Sequence, residues 1–283
     1  MQRSMLLCAT LVLALAGCAS GPQTQADTAT DLDTANLTRL DTVLAGDWRS
    51  PENTARDVYR HPRETLAFFG VRPEQTVIEI TPGAGWYMEI LAPYLREDGQ
   101  YVAAIVDPAA LPEGRGRTYQ QTQRANLDKR IADAPTRFDR TRIAAYDPAA
   151  PRFGPDGSAD VVLTFRNVHN WRGAGQAEGM FKGFYDVLRS GGVLGVVEHR
   201  AANDVPADDR SGYVGQAQVI AMAQAAGFRV DASSEINANP RDTKDHPKGV
   251  WMLPPGNNHE PADAARYQAI GESDRMTLRF VKP

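Results

Sequence analysis

The stretch Val77-Ile78-Glu79-Ile80-Thr81-Pro82-Gly83-Ala84-Gly85-Trp86 is an apolar, β-branched run that ends in an acidic residue and opens into a glycine turn. A run of this kind reads as a buried strand. The glycines let the backbone approach a ligand closely and leave N–H groups free at the start of the next helix. A helical pattern follows over 87–95, and the same alternation continues along the chain. Strands are expected over 76–80, 101–106, 142–146, 159–165, 193–198, 228–234 and 276–281, with helices over 87–95, 119–132, 176–188 and 213–226. Apolar strands alternating with helices predict an α/β fold built on a mostly parallel sheet covered on both faces. Upstream, Leu37, Leu40, Val43 and Leu44, then Val58, Leu66, Phe68 and Phe69, have helical spacing and predict a cap over the core.

In such a sheet ligands sit beyond the carboxyl ends of the strands, so the residues just after each strand carry the functional expectation. Asp107 ends the second strand, where a carboxylate can accept both hydroxyls of a ribose. Asp147 follows the third strand, although Asp147-Pro148 also makes a good turn. After the fourth comes Phe165-Arg166-Asn167-Val168-His169-Asn170-Trp171, the densest polar cluster in the chain. Asn167 could position a substrate, His169 could act as a general base, and Trp171 could wall a pocket. Alternatively, Asn167 and Asn170 cap the next helix and His169 is packed. The fifth strand ends in Glu198-His199-Arg200; neighbouring strand residues point to opposite faces, so one of Glu198 and His199 is expected in the cleft. Tyr213 is expected to open the following helix and reach the pocket. The segment 241–247, with Lys244 and His246, reads as a solvated loop or as a lid.

The glycine loop and these strand ends resemble the class I S-adenosylmethionine-dependent methyltransferases. Their first motif is an acidic residue followed by Gly-x-Gly-x-Gly. In register, Glu79 takes the acidic place, Gly83 and Gly85 the later glycines, and Thr81 stands where the first glycine is expected. Thr81 has a Cβ and Pro82 lacks an N–H, so the loop loses freedom and one donor. The resemblance spans roughly residues 62–283. It implies a three-layer Rossmann-like methyltransferase fold with a seven-stranded sheet, an antiparallel last strand and an N-terminal helical cap. More narrowly, residues 79–86, Asn239-Pro240-Arg241-Asp242 and the last ten residues are similar to a group of exported bacterial proteins described as predicted methyltransferases.

The resemblance implies S-adenosyl-L-methionine as cofactor. Glu79 would support its amino-acid end, with Thr81, Gly83 and Gly85 lining it, Asp107 on the ribose, Asp147 near the adenine and Arg166 at the edge of the site. His169, Asn167 and Tyr213 are the expected catalytic residues and a small molecule the acceptor. The alternative is a methyltransferase fold kept as a silent periplasmic binding or interaction protein. His169, Glu198, His199 and His246 could converge, but without a His-x-x-x-His pair or a thiolate no metal site is expected. No Gly-x-Ser-x-Gly elbow for hydrolysis occurs.

The chain has 283 residues, 42% hydrophobic and 23% charged, with a formal net charge of -4. That composition excludes fibrous and wholly disordered classes, and the charge argues against a nucleic-acid partner held through a broad basic face. The two cysteines, Cys8 and Cys18, both lie at the start, so no disulfide framework supports the rest. Residues 1–17 combine Arg3, an apolar run from Met5 to Leu15 and small residues before Cys18, the layout of a cleaved export signal. Leu15-Ala16-Gly17-Cys18 resembles a lipobox, which implies lipidation of Cys18. Residues 18–37, rich in Thr, Ala, Asp and Gln, read as a tether, and 38–283 as one methyltransferase-like domain. The expected location is the periplasm, anchored by lipid and more in keeping with the outer membrane, with that lipid as the only membrane contact.

Overall fold

The computed structural model describes residues 34–283. The export signal, Cys18 and tether residues 18–33 lie outside the described residues, and residues 34–37 begin a helix. The cap is α1 (Thr34–Leu44), α2 (Pro51–Thr54), α3 (Asp57–Arg60) and α4 (Pro62–Phe69). The continuous helical pattern is broken for local reasons. Pro51 and Pro62 start helices, Ser50 caps α2 by accepting from the Asn53 amide, and His61 takes φ +40° between α3 and α4.

The body then runs β1 (Thr76–Ile80), α5 (Met88–Leu95), β2 (Gln100–Val106), α6 (Arg115–Asp133), α7 (Pro135–Phe138), β3 (Arg142–Tyr146), β4 (Ala159–Phe165), α8 (Val168–Gly173), α9 (Ala177–Val187), β5 (Leu188–His199), α10 (Gln216–Ala225), β6 (Arg229–Ser234), α11 (Ala264–Ile270) and β7 (Arg275–Val281). Among the described residues the strands form one seven-stranded sheet in the order β3-β2-β1-β4-β5-β7-β6. All pairings are parallel except those of β7, which runs antiparallel to both β5 and β6. Strand order reverses between β1 and β4, so the glycine loop after β1 and the polar segment after β4 emerge side by side at the switch point.

Side chains alternate cleanly across the sheet. Val77, Tyr101, Ala103, Val161 and Leu163 join the core under α1, α4 and α5, while Ile78, Ile80, Val102, Val162 and Leu194 join the core under α9 and α10. The central strands are buried on both faces, as a sheet sandwiched between helices requires. On β7, Met276, Leu278 and Phe280 enter the second core, whereas Arg275, Thr277 and Arg279 are buried on the opposite face. The cap satisfies that polar face: Arg275 Nη2 donates to Tyr59 O at 2.9 Å, and Asn237 Nδ2 donates to both Thr65 Oγ1 and Thr277 Oγ1.

Tyr213 does not open a helix. Gly215 is the N-cap of α10, which starts at Gln216, and the preceding Val214 pairs with Arg200 as an isolated bridge. Segment 241–247 is a largely exposed loop anchored at two points: Asp242 and His246 are buried, while Arg241, Thr243, Asp245 and Pro247 face solvent.

Candidate active site

The carboxyl edge of β1, β2, β4 and β5 opens into a cleft of about 690 Å³, within the range of small-molecule sites. The glycine loop forms one wall. Thr81 and Gly83 sit at φ +53° and +58°, and a Cβ added at Gly83 would meet nothing within 4 Å, so this glycine presents bare backbone to open space. Gly83 and Ala84 amides donate to no acceptor among the described residues. The Thr81 amide, by contrast, is committed to Ala104 O at 2.7 Å and its hydroxyl to Tyr146 Oη at 3.0 Å. Gly85 does not line the cleft: its amide bonds Pro82 O, and a Cβ there would touch Arg130 on α6.

Glu79 lies at the cleft floor and is almost wholly buried. Burial pushes its carboxyl up to about 7, against the hydrogen bond from Tyr101 Oη to Oε2 at 2.7 Å and the field of Arg60. The loop is pinned to the cap. Trp86 Nε1 donates to Asn53 O at 2.9 Å, the Arg60 guanidinium lies 4.7 Å from the centre of the Trp86 ring, and Tyr87 stacks on Phe165 at 3.6 Å.

Asp107 and Asp147 do not line the cleft, although their neighbours Val106 and Pro148 do. Asp107 Oδ1 caps a short turn by accepting from Ala109 N at 2.9 Å, and Asp147 Oδ1 accepts from Ala149 N at 2.8 Å. Asp147 is exposed and serves its own turn. Asp107 sits one residue beyond the rim, and its Oδ2 takes no hydrogen bond among the described residues.

The segment after β4 supplies the other wall. Asn167 is buried and its amide donates to Ile80 O at 3.0 Å and Thr164 Oγ1 at 3.1 Å, which ties the end of β1 to that of β4. It holds the rim together. His169 Nδ1 lies 3.1 Å from Glu198 Oε1, and the Glu198 carboxylate also accepts from the His169 and His199 amides. A carboxylate on Nδ1 selects the tautomer that leaves Nε2 as an acceptor, and His169 Nε2 bonds nothing among the described residues. His199 lines the cleft with its ring 5.5 Å from that of His169, and its Nδ1 meets Ser273 Oγ. Burial, His169 and Arg166 keep the His199 imidazole neutral by lowering it well below the usual histidine range.

Candidate ligand atoms of His169, Glu198 and His199 come within 4.8 Å of one another, three of the four residues whose convergence the sequence left open; His246 is not among them. The Glu198 oxygens are committed to three N–H donors, so the geometry is that of an oriented histidine. Tyr213, expected to be catalytic, is absent from the cleft wall. Its hydroxyl donates to Asp242 at 2.8 Å, and Asp242 also accepts from His246 Nε2 and from the Lys244 and Asp274 amides. This knot locks segment 241–247 against β7.

Arg166 is brought into the cleft at φ +63°. Arg56 and Arg60 of the cap, and the aromatics Tyr119 and Trp251, also line it and were not foreseen. The available signal was the i, i+4 pair Arg56 and Arg60, which nothing local to the sequence ties to the rim.

No protein-family model matches the chain, and no curated protein matches it significantly. Solved structures do resemble it. An S-adenosylmethionine-dependent methyltransferase from Aquifex aeolicus superposes with a TM-score of 0.54 at 13% identity, over 87% of this chain and 98% of that one. The [4+2]-cyclase SpnF gives 0.54 at 16% identity over 88% and 93%, and a geranyl diphosphate methyltransferase in complex with S-adenosylmethionine gives 0.53 at 11% over 86% and 95%. At these identities the likeness establishes the fold, which is the Rossmann-like methyltransferase fold with six parallel strands and β7 antiparallel.

Proposed function

We propose that this chain is an S-adenosylmethionine-dependent methyltransferase acting on a small acceptor. The observation that carries the reading is the opening of the Gly83–Ala84 backbone and the Glu198-oriented His169 into one cleft at the strand-order switch. The cradle fits the cofactor: Gly83 offers bare backbone facing open space and Glu79 a carboxyl group below it, and just beyond the rim Asp107 keeps one oxygen free. When bound, the cofactor supplies a methyl group activated on a sulfonium.

The protein's own part is positioning and proton removal. The Asn167 amide holds the ends of β1 and β4 in register, which fixes the glycine loop relative to His169. His169 Nε2 takes the proton from the acceptor's nucleophile, and Glu198 holds the ring and stabilises the imidazolium that results. Trp171 and Tyr119 line the cleft, Trp171 as a buried wall.

The narrower resemblance to exported proteins belongs to the same proposal, with the lipid on Cys18 anchoring the domain in the periplasm, at the outer membrane. Loss of membrane association in Cys18→Ser tests this. A silent binding protein is the second reading, favoured by the commitment of the Thr81 amide to Ala104 O and by Pro82 in the loop. Incubating the chain with S-adenosylmethionine and fractionated cell extract distinguishes the two. Formation of S-adenosylhomocysteine that is lost in His169→Ala supports transfer, and cofactor binding without turnover in any fraction supports the silent protein.

A further inference from the structure

Three guanidinium groups line the cleft: Arg56 before α3, Arg60 at its end and Arg166 after β4. One carboxylate faces the group. Glu272 accepts from Arg56 Nε at 2.7 Å and Arg60 Nε at 3.1 Å, and it also pairs with Arg275 Nη1 at 3.1 Å. Three guanidinium groups therefore share one carboxylate, with the Arg166 guanidinium close by but not bonded to it, and its oxygens are saturated before their donors are.

The surplus donors are specific atoms. Arg56 Nη2 and Arg60 Nη2 are buried without any hydrogen-bond partner, and Arg60 is only 2% exposed. The Arg166 guanidinium makes no hydrogen bond or ion pair among the described residues. The nearby carboxylates are engaged elsewhere, Glu79 with Tyr101 and Glu198 with the His169 and His199 N–H groups. Arg166 is also held at φ +63°, a conformation that costs a non-glycine residue strain and that places its side chain at the cleft. Buried guanidinium N–H groups without an acceptor are desolvated with no return, and strain beside them marks a place completed by a ligand. Burial and the field of Arg166 lower Arg60 to about 9, as crowding of like charges requires.

We propose that Arg56, Arg60 and Arg166 form an anion-binding subsite of the cleft that receives a carboxylate or phosphate group carried by the acceptor. The planar donor fork of arginine matches either anion in a bidentate geometry. The assignment to the acceptor rests on the methyltransferase reading, but the anion site does not. The other source of the same chemistry is the carboxylate of the cofactor.

The test is titration of the intact chain with inorganic phosphate at low ionic strength, alone and with saturating S-adenosylhomocysteine. Phosphate is expected to bind and to lose roughly tenfold or more in affinity in Arg166→Gln and Arg60→Lys. Arg166→Gln removes no hydrogen bond and is the cleaner variant, whereas Arg60→Lys also loses the Nε bond to Glu272, so melting curves of both are compared with wild type before affinities are read. Binding retained in the presence of S-adenosylhomocysteine supports assignment to the acceptor. Competition between the two overturns that assignment and gives the site to the cofactor carboxylate. Absence of phosphate binding, or binding unchanged in both variants, overturns the subsite. Arginine-dependent phosphate binding without any binding of S-adenosylhomocysteine supports the subsite and removes the methyltransferase reading instead.

Discussion

Glu198 Oε1 and His169 Nδ1 lie 3.1 Å apart, and the same fully buried carboxylate also accepts from the His169 amide. The carboxylate thus fixes both the ring and the helix start that carries it. Glu198→Gln still offers an oxygen but no charge to stabilise an imidazolium. His169→Ala is expected to lower methyl transfer by a factor of roughly 10² or more with cofactor affinity unchanged, and Glu198→Gln to fall between it and wild type. Single-turnover rates beside equilibrium binding check this, and equal loss of binding in both variants would assign the pair to structure.

Glu79 gives a pH-dependent expectation whose sign follows from its burial. Its carboxyl is pushed from the ordinary 4.5 up to about 7, so the folded state holds the proton more tightly than the unfolded chain. The stability it contributes is fully present below about pH 4.5 and declines as pH rises to about 7. Glu79→Gln keeps an acceptor for Tyr101 and removes the ionisation. At pH 8 the variant is expected to be more stable than wild type, by on the order of 3 kcal/mol at most, and near equal to it at pH 4. Urea denaturation at both pH values is the measurement, with weaker cofactor binding as the accompanying cost.

Two glycines separate a ligand role from a packing role. At Gly83 a Cβ meets nothing within 4 Å but must adopt φ +58°, so Gly83→Ala should cost about 1–2 kcal/mol and weaken cofactor binding. At Gly195 a Cβ would lie 2.7 Å from Leu163 and 2.8 Å from Phe69, so Gly195→Ala should cost about 1–3 kcal/mol from overpacking. In that variant the binding measured on the folded fraction stays unchanged. Melting curves with and without ligand separate the two outcomes.

Tyr213→Phe removes one donor from the buried Asp242 knot, which keeps its bonds from His246 Nε2 and the Lys244 and Asp274 amides. A loss of about 1–2 kcal/mol is expected with methyl transfer intact. A variant of normal stability and low activity would return Tyr213 to the site.

Periodicity made the central sheet legible: the expected bounds of β1, β3 and β4 coincide with those observed, Thr76–Ile80, Arg142–Tyr146 and Ala159–Phe165. The early part of β5 was not legible, because Gly191-Gly192 reads as a turn while pairing of Gly191 N with Lys282 O and of Lys282 N with Gly192 O extends the strand from Leu188. The rim after each strand was legible as a region, and His169, Arg166 and Gly83 do line the cleft. What could not be read were partners distant in sequence. Asp242, which engages Tyr213, lies on another connection, and Arg56 and Arg60 reach the cleft only because the cap folds onto β7 and Glu272. Asp107 and Asp147 end their strands as expected, yet each first serves its own turn.

The central claim is that the glycine loop and the polar rim form a cofactor cleft, and calorimetric titration of the purified chain with S-adenosylmethionine and S-adenosylhomocysteine tests it most directly. Binding at micromolar strength, weakened in Asp107→Ala and Gly83→Ala, is the expected result. No binding to the folded protein at millimolar ligand would contradict it.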